Sequence, residues 1–408
     1  MPDYDAFLLV SFGGPEGPDD VVPFLRNVTR GRGVPATRLQ EVAEHYLAFG
    51  GVSPLNGQCR ELLAAVGADF AARGLDVPLY WGNRNWQPYL TDTVAQMAAA
   101  GVRRAVAFVT SAYSSYSACR QYRDDIERAR AEVGEGAPVI DKIRPYFNHP
   151  GFIEPFADAT RTALGSLPPE ASAAARLVFT AHSIPVGMAA ASGSSAAGTA
   201  VAVPGGRYAA QLREAARLIS ERTGPLPRDF DLVYQSRSGP PGIPWLGPDI
   251  RDHIAVLAKE NATGAVVVPV GFTSDHMEVV HDLDVEAARM AATLGLPLAR
   301  AAAPMPDPRF AAMVTDLVLE RMGQTVSASP GPASPRPAWL GDFGPAAGDC
   351  PADCCIPPGA ETEYPPVDPR QRGETPLSPP SPGGPARTAG PRASGLPGLG
   401  TTDGAGHA

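Results

Sequence analysis

Three carboxylates lie four residues apart in the stretch GFTSDHMEVVHDLDVE (271–286): Glu278, Asp282 and Glu286. On a helix this spacing stacks them on one face, and like charges at i,i+4 repel by about 0.2–0.5 kcal/mol per pair. No Lys in the stretch offsets them. Such a face is either solvated or set against something positive, and hard or borderline divalent cations take oxygen ligands of this kind. A second candidate is His182 in FTAHSIP, at the end of an apolar run. Imidazole is both a base near neutral pH and a common metal ligand. A third set is sulfur. Cys119 in SSYSACRQY joins Cys350, Cys354 and Cys355 in GDCPADCCIPP, and four thiolates suit a structural zinc or a [2Fe–2S] cluster. Cys59 reads as a small buried hydrophobe.

These residues need a frame. Apolar or β-branched runs at 7–12, 77–82, 105–111, 176–183, 230–236 and 265–272 predict strands. Helical patterns fall at 56–73, 90–100, 117–133, 151–165, 207–223, 249–260, 275–294 and 307–322. Near-continuous apolar strands alternating with helices predict an α/β protein with parallel sheets covered on both faces. Two such sets meet near residue 145, which predicts two Rossmann-like halves, 1–145 and 146–326. In that architecture ligands sit beyond the carboxyl ends of the strands, which is where His182 and the 271–286 stretch fall. Thr273 or Ser274 is positioned to cap the helix there, with Asp275 and Glu278 beside its positive end. Asp282 and Glu286 lie too far along for that explanation. No dinucleotide or phosphate-loop glycine pattern follows any strand, which disfavours nucleotide binding.

Composition narrows the classes further. The chain has 408 residues, 34 Lys+Arg against 43 Asp+Glu, and a net charge of −9, so a basic nucleic-acid footprint is absent. No signal-peptide pattern or membrane-length apolar run is present, and a cytoplasmic protein is expected. Residues 187–206 are small-residue low complexity and read as a mobile loop. From about Ser327 the chain is rich in Pro, Gly and Ser. That predicts a cysteine-bearing extension at 327–358 and a disordered tail at 359–408.

Taken together, HSIP and SDHMEVVHDLDVE, with FGGPEGPDDVVPFLRNVTRGRG (12–33), GGVSPLNGQ (50–58), TSAYSSYS (110–117) and PWLGPDI (244–250), resemble the ferrochelatases over residues 5–322. The resemblance implies a chelatase-like fold with a tetrapyrrole between the two halves and ferrous iron, Fe2+, as substrate. It implies catalytic and metal roles for His182 and Glu278, with Asp282 and Glu286 as a metal ladder from solvent. Ser53, Tyr122 and Arg30 (with Arg32) are the implied partners of porphyrin carboxylates. Phe12 stands where some relatives have a metal-touching Tyr. His45 stands where they often carry Arg, and Arg84–Asn85 replaces a Lys-His pair. Actinobacterial and animal relatives hold a [2Fe–2S] cluster with one internal and three C-terminal cysteines. That assigns Cys119, Cys350, Cys354 and Cys355 here, although C-x3-C-C departs from the animal C-x2-C-x4-C. Cluster-bearing actinobacterial relatives imply coproporphyrin III as substrate, with protoporphyrin IX as the alternative. A cobalt chelatase of corrin synthesis and a non-catalytic tetrapyrrole carrier are the rival readings.

Overall fold

The computed structural model describes residues 4–31, 33–193, 204–239, 242–323, 338–351 and 354–356. Arg32, half of the predicted 187–206 loop (194–203) and the 359–408 tail lie outside the described residues, and the start of that loop is corrected to a short helix, Val186–Ala190.

Eight parallel strands form two four-stranded sheets. The first contains β1 (Ala6–Ser11), β2 (Leu79–Asn83), β3 (Arg104–Val109) and β4 (Val139–Lys142) in the order β2-β1-β3-β4. The second contains β5 (Arg176–His182), β6 (Phe230–Gln235), β7 (Ala265–Val268) and β8 (Leu298–Arg300) in the order β6-β5-β7-β8. The two orders are equivalent, as expected of repeated Rossmann-like halves. All six residues of β1 and all four of β7 are buried, because helices cover both faces of each sheet. The sequence patterns missed β4 and β8. They are four and three residues long at sheet edges, too short to show a periodicity.

The helices preceding and following β2 are α1 (Pro18–Thr29), α2 (Ala36–Ala48), α3 (Pro54–Ala72) and α4 (Leu90–Ala99). A π-helical turn, π1 (Tyr116–Arg120), leads into α5 (Gln121–Val133). The second half carries α6 (Pro150–Ser166), α7 (Pro169–Ala173), α8 (Val186–Ala190), α9 (Gly206–Ser220) and α10 (Ile250–Lys259). Then follow α11 (Met277–Val279), π2 (Val280–Ala287), α12 (Ala288–Thr293) and α13 (Pro308–Arg321). The uniform helix expected over 275–294 is therefore corrected to an α–π–α segment, and the start of the 117–133 helix is likewise π-helical.

Both halves share one main core. Phe7, Phe108, Tyr146, Phe152, Phe179 and Phe310 belong to a single buried cluster. The carboxyl edges of the sheets are tied across it. The Tyr113 hydroxyl donates to the Val270 carbonyl at 2.7 Å, Thr273 Oγ1 donates to the Thr110 carbonyl at 3.2 Å, and Ser274 Oγ donates to Gln58 Oε1. These contacts overturn the expected cap: Thr273 and Ser274 hold the other half, and Asp275 pairs with Arg300 at 2.7 Å. Among the described residues no helix is long and apolar enough to cross a membrane.

Candidate metal and tetrapyrrole site

His182 is the last residue of β5, and Glu278 lies in α11, just after β7. Strands β5 and β7 are hydrogen-bonded neighbours, so their carboxyl ends deliver the two side chains to one point. His182 Nε2 lies 3.3 Å from Glu278 Oε1. The other ring nitrogen, Nδ1, makes a short hydrogen bond with the Ser183 carbonyl, which orients the imidazole with Nε2 toward the carboxylate. Both side chains remain partly accessible, at 35% and 40%. Burial disfavours the imidazolium, but the Glu278 charge, its hydrogen bond and the Ser183 carbonyl outweigh it and raise the His182 pKa to about 9. Burial works against the Glu278 carboxylate in the same way. His182 outweighs it and lowers the Glu278 pKa to about 2. The pair is therefore held as imidazolium and carboxylate.

The two outer carboxylates follow along π2. An α-helix overshoots one 3.6-residue turn with every four-residue step, whereas the wider π turn falls short of one. Glu278 lies in α11, and Asp282 and Glu286 lie in π2, so the four-residue spacing runs mostly through the wider turn. What faces them also answers the missing lysine. Asp282 accepts from Ser236 Oγ and from Gln235 Nε2 at 3.3 Å, and His281 Nδ1 lies 3.5 Å from it. Burial and the neighbouring Glu278 charge raise its pKa. Glu286 meets Arg251 of α10 at 3.4 Å. His281, Asp282 and Glu286 each present one ligand atom within 4.8 Å of the others. His281 is a donor that the sequence reading missed. The ring of His45, from α2 of the first half, stacks on His281 at 3.8 Å with 13° between planes. Burial and that neighbour lower its pKa. A mixed N/O ligand set thus lies along π2, next to the His/Glu pair.

The substrate-side residues fare differently from one another. Ser53 is the N-cap of α3 with extended backbone, but its side chain makes no capping bond. The FGGP turn is built around it. Gly13 has φ +84°, which favours glycine, and a Cβ on Gly14 would come within 2.6 Å of the Ser53 side chain. Tyr122 is only 4% exposed and packs in the first half's outer core, with the Arg84 guanidinium over its ring at 4.7 Å. Arg30 lies at the end of α1 and donates to Asn27 Oδ1 at 2.7 Å. Arg84 was noted in the sequence only as a replacement. Here it forms an ion pair with Asp125 in which both side chains are under a tenth exposed, and it lies 5.8 Å from the Phe12 ring. Phe12 itself is exposed, as are Val22, Leu47, Phe49 and Val52 on α1, α2 and the turn before α3. Sequence periodicity did not reveal this apolar rim, because hydrophobic residues outside the core are invisible to it.

Four of the five cysteines come together. Cys119, on π1, and Cys350, Cys354 and Cys355 line one cavity, joined by Arg120, Arg123 and Lys142. Cys354 Sγ and Cys355 Sγ are 3.5 Å apart. Hydrogen bonding to Cys354, then burial and the other sulfurs, raises the pKa of both Cys350 and Cys355. Cys59 is fully buried elsewhere, as expected.

Two four-stranded parallel sheets with helices on both faces, and a His/Glu pair beyond the carboxyl edge of the second, are the frame of an α/β protein of the chelatase kind. The ferrochelatase family model matches residues 4–322, and the chain belongs to that family. A coproporphyrin III ferrochelatase of Streptomyces griseus is 53% identical over 359 residues, covering 86% of this chain and 93% of the relative. A protein of the same name from Frankia alni is 54% identical over 365 residues, covering 88% of each chain. Another, from Nocardia farcinica, is 55% identical over 318 residues, covering 78% of this chain and 88% of the relative.

Proposed function

We propose that this protein inserts Fe2+ into coproporphyrin III to give Fe-coproporphyrin III, and that it does so in the cytoplasm. The observation that carries the chemistry is the His182–Glu278 pair at 3.3 Å, open to an acidic ladder on one side. The similarity to proteins named coproporphyrin III ferrochelatase over most of the chain supports the choice of porphyrin.

Metallation exchanges one Fe2+ for two pyrrole N–H protons, with no change of oxidation state. His281, Asp282 and Glu286 take the hydrated ion at the cleft mouth, with His45 alongside. Carboxylates lower the cost of drawing a dication out of water. Arrival of the cation at Glu278 cancels the charge that holds the imidazolium. His182 then releases its proton and becomes a neutral base and ligand facing the ring nitrogens. The apolar rim of Phe12, Val22, Leu47, Phe49 and Val52 suits one face of a macrocycle. Ser53 and Arg30, with Arg32, are assigned to its carboxylates, since Arg pairs with carboxylates bidentately. Tyr122 is assigned to the same wall, acting through Arg84, on which it stacks. In this reading 1–145 supplies the porphyrin wall and 146–326 the metal wall, and the extension at 327–358 closes the cysteine centre.

The cysteine centre is read as a [2Fe–2S] cluster on Cys119, Cys350, Cys354 and Cys355. Their convergence on one cavity supports four-thiolate ligation. The N–H of Gly193, which donates to Cys355 Sγ at 3.3 Å, supports a thiolate there, because thiolates in such centres accept backbone hydrogen bonds. The cluster would supply an anionic redox centre that ties the extension to the body.

The test is anaerobic metallation of coproporphyrin III by the wild type and His182→Ala. The proposal expects a loss of at least a thousandfold in kcat in the variant with porphyrin binding kept. A variant within tenfold of wild type contradicts it.

A further inference from the structure

The segment that leaves the site after His182 has contacts that the metal chemistry does not use. Tyr208, on the first turn of α9, is 4% exposed. Its hydroxyl donates to the backbone carbonyl of His182 at 3.0 Å. Its own N–H donates to Ser192 Oγ at 2.9 Å, and Ser192 is itself buried and donates onward to the Ala189 carbonyl. The next residue is Gly193, whose N–H donates to Cys355 Sγ at 3.3 Å. A single peptide step therefore separates the sulfur contact from the one that holds Tyr208.

The other cysteine-bearing wall grips the same segment. Two residues before Cys119, the Ser117 hydroxyl donates to Met188 Sδ of α8 at 3.7 Å. Ser114 exchanges two hydrogen bonds with Gln211, one helical turn beyond Tyr208: its N–H donates at 2.7 Å and its Oγ accepts at 3.0 Å. Gln211 is fully buried.

We infer that Tyr208 is a positioning residue for His182, and that the Ser192–Gly193 turn couples its setting to the sulfur of Cys355. The inference rests on the reading of the four cysteines as a metal–sulfur centre. Its physical basis is the N–H···S bond. A ligated cysteine sulfur has a fixed place, so the Gly193 N–H meets one acceptor position. Loss of the centre frees the Cys355 side chain to turn and with it the hold on Gly193. That glycine has φ +73°, a conformation that glycine leaves readily when its contacts weaken. The Ser192 hydroxyl then loses its fixed place, and with it Tyr208 and the His182 carbonyl. The peptide that follows that carbonyl carries Ser183, whose own carbonyl orients the imidazole. Coupling of this kind is reciprocal, so occupancy at His182 should in turn protect the sulfur centre.

The experiment compares wild type, Tyr208→Phe and Ser192→Ala, each purified anaerobically with its visible absorption recorded. Backbone hydrogen exchange is followed before and after the centre is stripped with an iron chelator. We expect stripping to speed exchange at Gly193 and Tyr208 at least tenfold and to leave β1 and β3 unchanged. Tyr208→Phe should keep the absorption and the KM for porphyrin within twofold and lose about tenfold in kcat, and stripping it should cost no further activity. Ser192→Ala should behave alike, without touching His182. A Tyr208→Phe kcat within twofold of wild type, or exchange changes confined to 338–356, would overturn the coupling while leaving the cluster intact. A protein without [2Fe–2S] absorption would overturn the cluster reading itself, and the coupling with it.

Discussion

Replacing Glu278 by Gln keeps the shape of the inner site and removes its negative charge. The carboxylate stands 3.3 Å from the imidazole. An unscreened pair at that distance and an effective dielectric of 20 would be worth up to about 5 kcal/mol. The 35% and 40% accessibility of the two side chains lets water screen it, and about 1–2 kcal/mol is the expected residue. That is about a five- to thirtyfold loss in the proton affinity of His182. In the wild type, a pKa raised to about 9 leaves only about one imidazole in a hundred neutral at pH 7. The rate of iron capture at low iron should then climb about tenfold per pH unit from 6 to 8. In Glu278→Gln that climb should flatten about one pH unit earlier, near pH 8, on a lower absolute rate because a ligand is lost. Nitrogen-15 titration of the His182 ring reads the proton affinity directly. A wild-type ring titrating at the ordinary 6.5, or one unmoved by the substitution, would refute the reasoning. The same pair has a stability signature. His182 contributes fully below 6.5, and its share is lost as pH rises through about 9. Glu278 contributes above 4.5, and its share is lost as pH falls through about 2. Stability from the pair should therefore be complete between pH 4.5 and 6.5, and Glu278→Gln should remove that advantage.

Asp282→Ala, Glu286→Ala and His281→Ala should each raise the KM for ferrous iron several-fold and spare kcat at saturating iron. Unchanged iron dependence in all three would make the ladder a solvated face. Asp125→Ala should strand the buried Arg84 and cost about 3–5 kcal/mol in chemical denaturation. Arg84→Met, which fills the same space beside Phe12 and Tyr122, should cost less, and equal losses would argue against an uncompensated charge. Cys354→Ser should abolish the cluster's visible absorption. A fully coloured variant would remove Cys354 from the ligand set.

The sheets were legible because buried parallel strands are apolar throughout, and β1, β5 and β7 need no partner pattern to be seen. His182 and Glu278 stood at strand ends, where the fold class places ligands. The π-helical turns were not legible. Whether a peptide N–H reaches four or five residues back leaves no periodic trace in so short a stretch, so π1 and π2 read as plain helix. Arg251, His45 and His281 were hidden for a different reason. His45 and Arg251 come from α2 and α10, and only the packing of those helices brings them to π2, while His281 sits on π2 beside Asp282 but off the four-residue spacing of the acids. The assignment of Thr273 and Ser274 as caps failed because both side chains found stronger roles across the two halves.

The most direct measurement is anaerobic metallation by the purified wild type, with ferrous iron and either coproporphyrin III or protoporphyrin IX, followed by absorption. Rapid iron insertion into coproporphyrin III is expected, with a kcat/KM at least tenfold lower for protoporphyrin IX. Preference for protoporphyrin IX would contradict the substrate assignment, and insertion into neither by folded protein would contradict the activity.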